Sequence, residues 1–237
     1  MIAPRTLLII PCYNESASII DLLKEIASLK IKYDTLVIDD GSNDQTAAFA
    51  RRLSPVVQLL SNLGIGACVQ TGIKYAWSHD YDYCIQIDGD GQHPPSELAK
   101  LVVRKKEADI IIGSRFAGLH SFKSTTMRRF GSRLIAVMIR VLFGGKIVKD
   151  PTSGFRLMNR RAMSIFSRDY PQDFPEPISI AQALNYGLTI NGVSVVMRAR
   201  LAGVSSLKGL RKSISYMIRV LSYIILARIQ YPLFSKL

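Results

Sequence analysis

Long uncharged apolar runs are missing from this chain. Its nearest approach to one, Ile214 to Ile229, is broken by Arg219 and Arg228. A spanning helix needs about 20 predominantly apolar residues, so none is expected. No signal-peptide cleavage pattern follows the short apolar run of MIAPRTLLIIPCYNE, which reads as a first strand. Cysteine is scarce: Cys12, Cys68 and Cys84 are odd in number and widely spaced. They form neither a disulfide framework nor a CxxC metal knuckle, and a reducing cytoplasm suits them best. G-x-G-x-x-G is absent after the first strand, where PCYNES stands, and this excludes a Rossmann dehydrogenase. There is no P-loop, and the early glycine-rich, arginine-containing loop of a sugar nucleotidyltransferase is missing too. No internal repeat or low-complexity tract is present.

Acidic residues are depleted on one side only. Residues 1–103 hold 8 Lys and Arg against 12 Asp and Glu, whereas residues 104–237 hold 23 against 6. The overall charge of +13 therefore lies in the second half, and an anionic partner is expected there: nucleic acid, a phosphorylated substrate or an anionic membrane surface. Nucleic acid is disfavoured because aromatics are not interleaved with the basic residues as a stacking platform requires. At 237 residues, 48% of them hydrophobic, the chain can bury one substantial core and carry an appendage.

Apolar runs alternate with helical patterns. Strands are expected at Thr6 to Ile10, Asp34 to Ile38, Val56 to Leu60, Cys84 to Ile87, Asp109 to Ile112, Leu157 to Met158 and Thr189 to Arg198. Helices are expected at Ser16 to Leu29, Thr46 to Leu53, Ala67 to Ser78, Glu97 to Lys106, Met127 to Phe143, Arg160 to Phe166, Ile178 to Tyr186 and Ser213 to Ile229. This order predicts an α/β fold, a mostly parallel sheet with helices on both faces. In such sheets ligands bind beyond the carboxyl ends of the strands. PCYNE, DDGS and DGDG all fall at those ends and should meet in one crevice.

The centre of the pattern is YCIQIDGDGQHPP, where a buried strand ends in Asp88 and Asp90, one residue apart. Positions i and i+2 of an extended segment face the same way. Two such carboxylates can hold Mg²⁺ or Mn²⁺, which fills its remaining positions with substrate phosphates and water. A surface DG turn is the alternative reading of the isolated motif. An EF-hand loop is excluded, since His93 and Ala99 stand where it needs Gly and Glu.

Together LLIIPCYNES, VIDDGSNDQT, NLGIGACVQTG, IQIDGDGQHPP, GSRF and DPTSGFR resemble the family 2 glycosyltransferases of GT-A fold, and among them the dolichol-phosphate mannose synthase-like branch. The resemblance runs from about Leu7 to Leu207. It implies a GT-A domain over residues 1–207, split into a nucleotide-sugar and metal half (1–113) and an acceptor half (114–207), with a basic amphipathic helix over 208–237. It further implies that Pro11, Tyr13, Glu15 and Gly64 line the nucleotide-sugar pocket together with Asp88, and that Asp39 and Asp40 hold base and ribose; a tight turn in NLGIG is the alternative role for Gly64 and Gly66. Asp88 and Asp90 match the DXD pair, with Gln92 able to join the metal shell. Arg115 and an arginine of the next helix, from Arg128, Arg129 and Arg133, would grip an acceptor phosphate through guanidinium forks.

The expected activity is inverting transfer from a UDP, GDP or dTDP sugar to a lipid-linked acceptor in polysaccharide or glycolipid assembly. A polyprenyl phosphate acceptor needs no general base, whereas a sugar hydroxyl does. Glu176, between Pro175 and Pro177, is the nearest match to that base. The usual Glu-Asp pair is absent, and the reading leans toward a lipid-linked glycan, with direct transfer to polyprenyl phosphate second. The two basic amphipathic helices suggest a cytoplasmic protein held peripherally at the inner face of the membrane. They could equally pack in the core or form a homodimer.

Overall fold

The computed structural model describes residues 4–115, 126–144, 148–198 and 210–234, with side chains throughout except at 126–128, 210–214 and 230–234. One seven-stranded sheet organises them, in the order β3-β2-β1-β4-β6-β5-β7. Its central strand β1 (Thr6–Cys12) runs parallel to β2 (Asp34–Asp39) on one side and β4 (Tyr83–Gln86) on the other. β3 (Val56–Gln58) extends the sheet beyond β2, and β7 (Ile190–Ser194) lies parallel to β5 (Ile110–Ser114) at the far edge.

Continuous apolar strands arise because both faces are covered. The period of two then sorts neighbours to opposite sides. Leu7, Ile9, Leu36 and Ile38 join one core with α3 (Ile65–Ser78), α6 (Arg160–Phe166) and α7 (Pro175–Asn185). Leu8, Ile10, Val37, Ile85 and Ile87 join the other with α1 (Ile19–Ala27) and α4 (Leu98–Val103). Each fully buried Leu or Ile contributes roughly 1.5–3 kcal/mol, which favours this register over a one-residue slip. Short α2 (Thr46–Ala50) follows β2.

The mostly parallel sheet is as expected, with one departure. β6 (Arg156–Asn159) runs antiparallel to both β4 and β5, with Arg156 opposite Gln86 and Ile112. Its first residue therefore lies at the edge where β4 and β5 end, and the turn of DPTSGFR enters the same crevice. The division expected at 113/114 falls inside β5, and the sheet is continuous across it. The boundary expected at 207/208 lies outside the described residues.

Element ends differ from expectation in informative ways. α1 starts at Ile19 because the amides of Ser18 and Ile19 both donate to the Glu15 carbonyl in a preceding turn. α7 starts at Pro175, three residues early, and takes the PEP segment into its first turn, since proline is preorganised for the first helical position. α5 (Thr126–Phe143) and α8 (Leu210–Phe234) pack on each other and on α7.

Candidate active site

Three loops are tied together at the carboxyl ends of β1, β2 and β4. The amide of Asp40 donates to the Cys12 carbonyl at 2.9 Å, and that of Gly89 to the Pro11 carbonyl at 3.2 Å. Between the first two loops the bonding is reciprocal. Asn14 N–H donates to Ser42 Oγ at 2.9 Å, and Asn43 N–H to Asn14 Oδ1 at 3.0 Å. Glu15 N–H donates to Thr46 Oγ1 at 2.8 Å, and Ser16 N–H to Asp44 Oδ2 at 3.2 Å. Short polar side chains suit such loops because they can satisfy backbone amides that no ladder reaches. Tyr13 stays exposed above this frame, Pro11 is buried in β1, and Glu15 is half-buried.

The two aspartates of DDGS have different surroundings. Asp39 is fully buried; its Oδ2 accepts from the Ser42 amide at 3.2 Å, while Oδ1 has no hydrogen-bond partner among the described residues. A buried carboxylate oxygen left unpaired is unfavourable by about 1–3 kcal/mol, and a donor from a ligand would relieve it. Asp40 instead accepts from the amides of Leu63 at 2.8 Å and Gly64 at 2.9 Å. It holds the NLGIG loop in place. Gly64 sits at φ 91°, open to glycine but not to side chains. Gly66 presses on the next loop: a Cβ there would meet the backbone of Pro171 and Gln172 at 2.6 Å.

Asp88 and Asp90 follow β4. The Asp88 amide donates to His93 Nδ1 at 3.1 Å, and the buried His93 ring stacks on Phe155. Gln86 Nε2 donates to Asp88 Oδ1 at 3.2 Å, and the Gln92 amide donates to Asp90 Oδ1 at 3.0 Å. The Gln92 carbonyl accepts from the Arg198 amide at 2.9 Å, which fastens this loop to the segment after β7. Negative charge is concentrated here. Burial, with Glu15, Asp39 and Asp88 nearby, pushes the Cys12 thiol well up, and burial with Asp40 does the same to Cys68. Among the described residues no three His, Cys, Asp or Glu side chains form a preformed metal cage. Two carboxylates at a crevice fit a magnesium-like ion that takes its other oxygens from substrate and water.

On the β5 and β6 side, Arg115 closes a forked ion pair on the fully buried Asp150 and adds a bond to Thr152 Oγ1 at 3.0 Å. Arg156 is buried with neutral partners. Its nitrogens donate to the carbonyls of Ser153 at 2.7 Å, Pro151 at 3.1 Å and Glu176 at 2.7 Å, and to Ser179 Oγ at 2.6 Å. Burial pulls its pKa down, while Tyr170, Glu176, Asp150 and Asp88 act in the other direction. Glu176 stands in the first turn of α7, where burial raises its pKa, helped by Asp88 and opposed by Arg156 and Arg115. The crevice thus gathers Asp88, Arg115, Asp150, Arg156 and Glu176.

Arg129 and Arg133 lie on the exposed face of α5, and the side chain of Arg128 lies outside the described residues. Sequence reasoning missed Asp150, Ser179 and the role of Arg156. Arg156 and Asp150 stood inside the DPTSGFR motif, yet nothing local distinguished them from turn residues.

The family described as Glycosyl transferase family 2 matches residues 7–166. Polyprenol monophosphomannose synthase of Mycolicibacterium smegmatis is 30% identical over 217 residues, covering 86% of this chain and 82% of the relative. A UDP-N-acetylglucosamine–dolichyl-phosphate N-acetylglucosaminyltransferase of Methanococcus voltae is 28% identical over 181 residues, covering 68% of this chain and 71% of the relative. Glucosyl-3-phosphoglycerate synthase of Mycobacterium tuberculosis, solved with Mn²⁺, uridine diphosphate and phosphoglyceric acid, is similar in structure with a TM-score of 0.73. At 16% identity, over 95% of this chain and 79% of that one, this likeness shows the fold, which is GT-A.

Proposed function

Since the chain belongs to glycosyl transferase family 2, we propose that it transfers a sugar from a nucleoside diphosphate sugar to a lipid-linked acceptor, in the first place a polyprenyl phosphate. The observation that carries this reading is that Asp88 and Asp90, following β4, lie at the same edge of the sheet as buried Asp39 at the end of β2, whose Oδ1 has no hydrogen-bond partner among the described residues. Asp39 would accept from a base N–H or a ribose hydroxyl, as acidic residues do after a strand in dinucleotide folds. Asp88 and Asp90, with Gln92 at hand, would hold the divalent ion, which when bound offsets the negative charge developing on the departing diphosphate. The bond from the anomeric carbon to the diphosphate breaks with its electron pair leaving on the diphosphate. An acceptor oxygen supplies the new pair from the opposite face, giving inversion.

Two relatives named for polyprenol and dolichyl phosphate support the lipid phosphate. That acceptor is already anionic and has no proton to lose. One observation favours the second reading, a glycan hydroxyl: Glu176 stands in the first turn of α7 with its carbonyl on Arg156, and burial raises its carboxyl pKa, the direction a general base needs. Calorimetric titration with UDP, GDP and dTDP, with and without Mn²⁺, tests the donor site. One nucleotide should bind in a metal-dependent way and lose affinity in Asp39→Asn, and equal binding of all three without metal would overturn the assignment. Glu176→Gln, assayed with both acceptors, separates the two chemistries.

Among the described residues no helix is long and apolar enough to cross a membrane. Peripheral attachment at the inner face is supported by α5 and α8. α5 exposes Phe130, Leu134, Val137 and Val141, and α8 exposes Ile218, Ile225, Leu226 and Ile229. Arg129, Arg133, Arg140, Arg219 and Arg228 accompany them, and neither helix contains an acidic residue. That charge matches an anionic bilayer. Flotation with anionic vesicles tests it, and a concentration-dependent dimer that ignores vesicles would assign the face to a second copy instead.

A further inference from the structure

Phe174, the residue before α7, adopts a left-handed conformation with φ 47° and ψ 51°, which aromatic residues rarely occupy. Such a backbone persists only where its surroundings hold it, and here α8 does so. The Phe174 ring meets Tyr216 edge-on at 5.1 Å and Tyr223 at 5.7 Å between centroids, the geometry that aromatic quadrupoles favour. Tyr223 also donates its hydroxyl to Asp173 Oδ2 at 3.1 Å. Further along, Asn185 Nδ2 at the end of α7 donates to the Ala227 carbonyl of α8 at 3.0 Å. Phe174 in turn opens α7, its carbonyl accepting from the Ile178 amide at 3.2 Å. Glu176 lies within that turn and gives its own carbonyl to Arg156 at 2.7 Å.

The two stripes of α8 are offset in a useful way. Val220 and Ile224 are buried, Tyr216 is half-buried and Tyr223 sits exposed at their flank, whereas Ile218, Ile225 and Ile229 are exposed on the other side. Ile218 and Ile225 each follow a tyrosine of the clamp by two residues, a rotation of roughly 200° in an α-helix. One rigid helix thus carries the apolar outer stripe on one side and the clamp on Phe174 on the other.

We propose that Phe174 is a positioning residue for Glu176, and that its clamp by Tyr216 and Tyr223 transmits the seating of α8 on an anionic bilayer to the acceptor end of the crevice. The inference rests on the bilayer-docking reading above. Residues 173 and 174 are where α8 reaches α7, because Asp173 accepts from Tyr223, Phe174 meets both tyrosines and the Phe174 carbonyl opens the first turn that carries Glu176. Lipid contact fixes α8, α8 fixes the rings, and the rings fix Glu176.

Amide hydrogen exchange on the full chain tests this without knowledge of the sugar. Vesicles of phosphatidylglycerol and phosphatidylcholine should slow exchange in α8 and also, by about tenfold, at Glu176 and Ile178–Ile180, local opening being set by the contacts each segment keeps. Phe174→Gly accepts the left-handed backbone but lacks the ring. It should retain protection of α8 on vesicles and lose the vesicle-dependent protection at 176–180, while Phe174→Tyr should restore it. Protection of α8 in the unaltered protein with no change at 176–180 overturns the clamp and leaves docking intact. Vesicles that slow neither segment overturn both readings. Retained coupling in Phe174→Gly assigns transmission to other contacts and also overturns the proposal.

Discussion

Arg115 grips Asp150 with both arms of its guanidinium, Nε to Oδ2 at 2.7 Å and a terminal nitrogen to Oδ1 at 2.9 Å, and Asp150 also accepts from the Arg115 backbone amide at 3.1 Å. The pair fastens the end of β5 to the turn before β6. Asp150 is fully buried and the Arg115 side chain is 10% exposed, so removing one partner strands the other. Asp150→Ala should lower unfolding free energy by about 3–5 kcal/mol in urea titrations. The double variant Arg115→Met with Asp150→Leu should lose much less than the two single losses together. Additive losses would show that the pair does not act as a unit.

Asp40 supports the neighbouring loop through both carboxylate oxygens, each accepting from one backbone amide. Asp40→Asn would turn an amide NH₂ toward the N–H of Leu63 or Gly64 and leave it buried without an acceptor. The expected result is a loss of about 1–3 kcal/mol in stability, together with weaker nucleotide affinity in calorimetry. Unchanged affinity at reduced stability would separate the loop from the donor site.

The sheet and the three clusters at its edge were readable because they depend on local patterns: apolar runs of strand length, turn residues after them, and carboxylates at the turns. Partnerships were not readable. Asp40 meets an amide 24 residues away and Arg115 a carboxylate 35 residues away, and no local period records such pairs. The antiparallel course of β6 was hidden too, since a four-residue strand carries no direction in its composition. The early start of α7 did have a signal, Pro175 at the first helical position with Glu176 behind it.

Glu176 should leave a mark on the pH dependence of stability. Its folded-state pKa lies above the ordinary carboxylate value because burial disfavours the charged form, with Asp88 adding to the effect. The native state therefore holds that proton to higher pH than the unfolded chain does. Stability falls as pH rises from the unfolded pKa, about 4.3, through the raised native one. Glu176→Gln cannot ionise, so it should be more stable than the unaltered protein at pH 7, and the difference should vanish below about pH 4. Thermal unfolding in EDTA across that range measures it. A glutamine variant less stable at pH 7 would mean that the carboxylate is stabilised in place, contrary to its surroundings.

Asp90 gives the most direct test of the donor chemistry. It is 4% exposed, and Oδ1 accepts from the Gln92 amide two residues on, so the carboxylate is oriented before any ligand arrives. Orientation in advance is what makes an electrostatic contribution large, because little reorganisation remains to oppose it in the transition state. Asp90→Asn keeps the shape and the turn but removes the charge. It should reduce turnover about 10²–10³-fold at saturating Mn²⁺, the range seen when one preorganised electrostatic contact is lost. Nucleotide affinity without metal should change little. If Asp90→Asn or Asp90→Ala kept more than about a tenth of the activity under those conditions, the ion would have to be held elsewhere. A parallel loss of nucleotide binding without metal would instead point to a role for Asp90 in shaping the pocket.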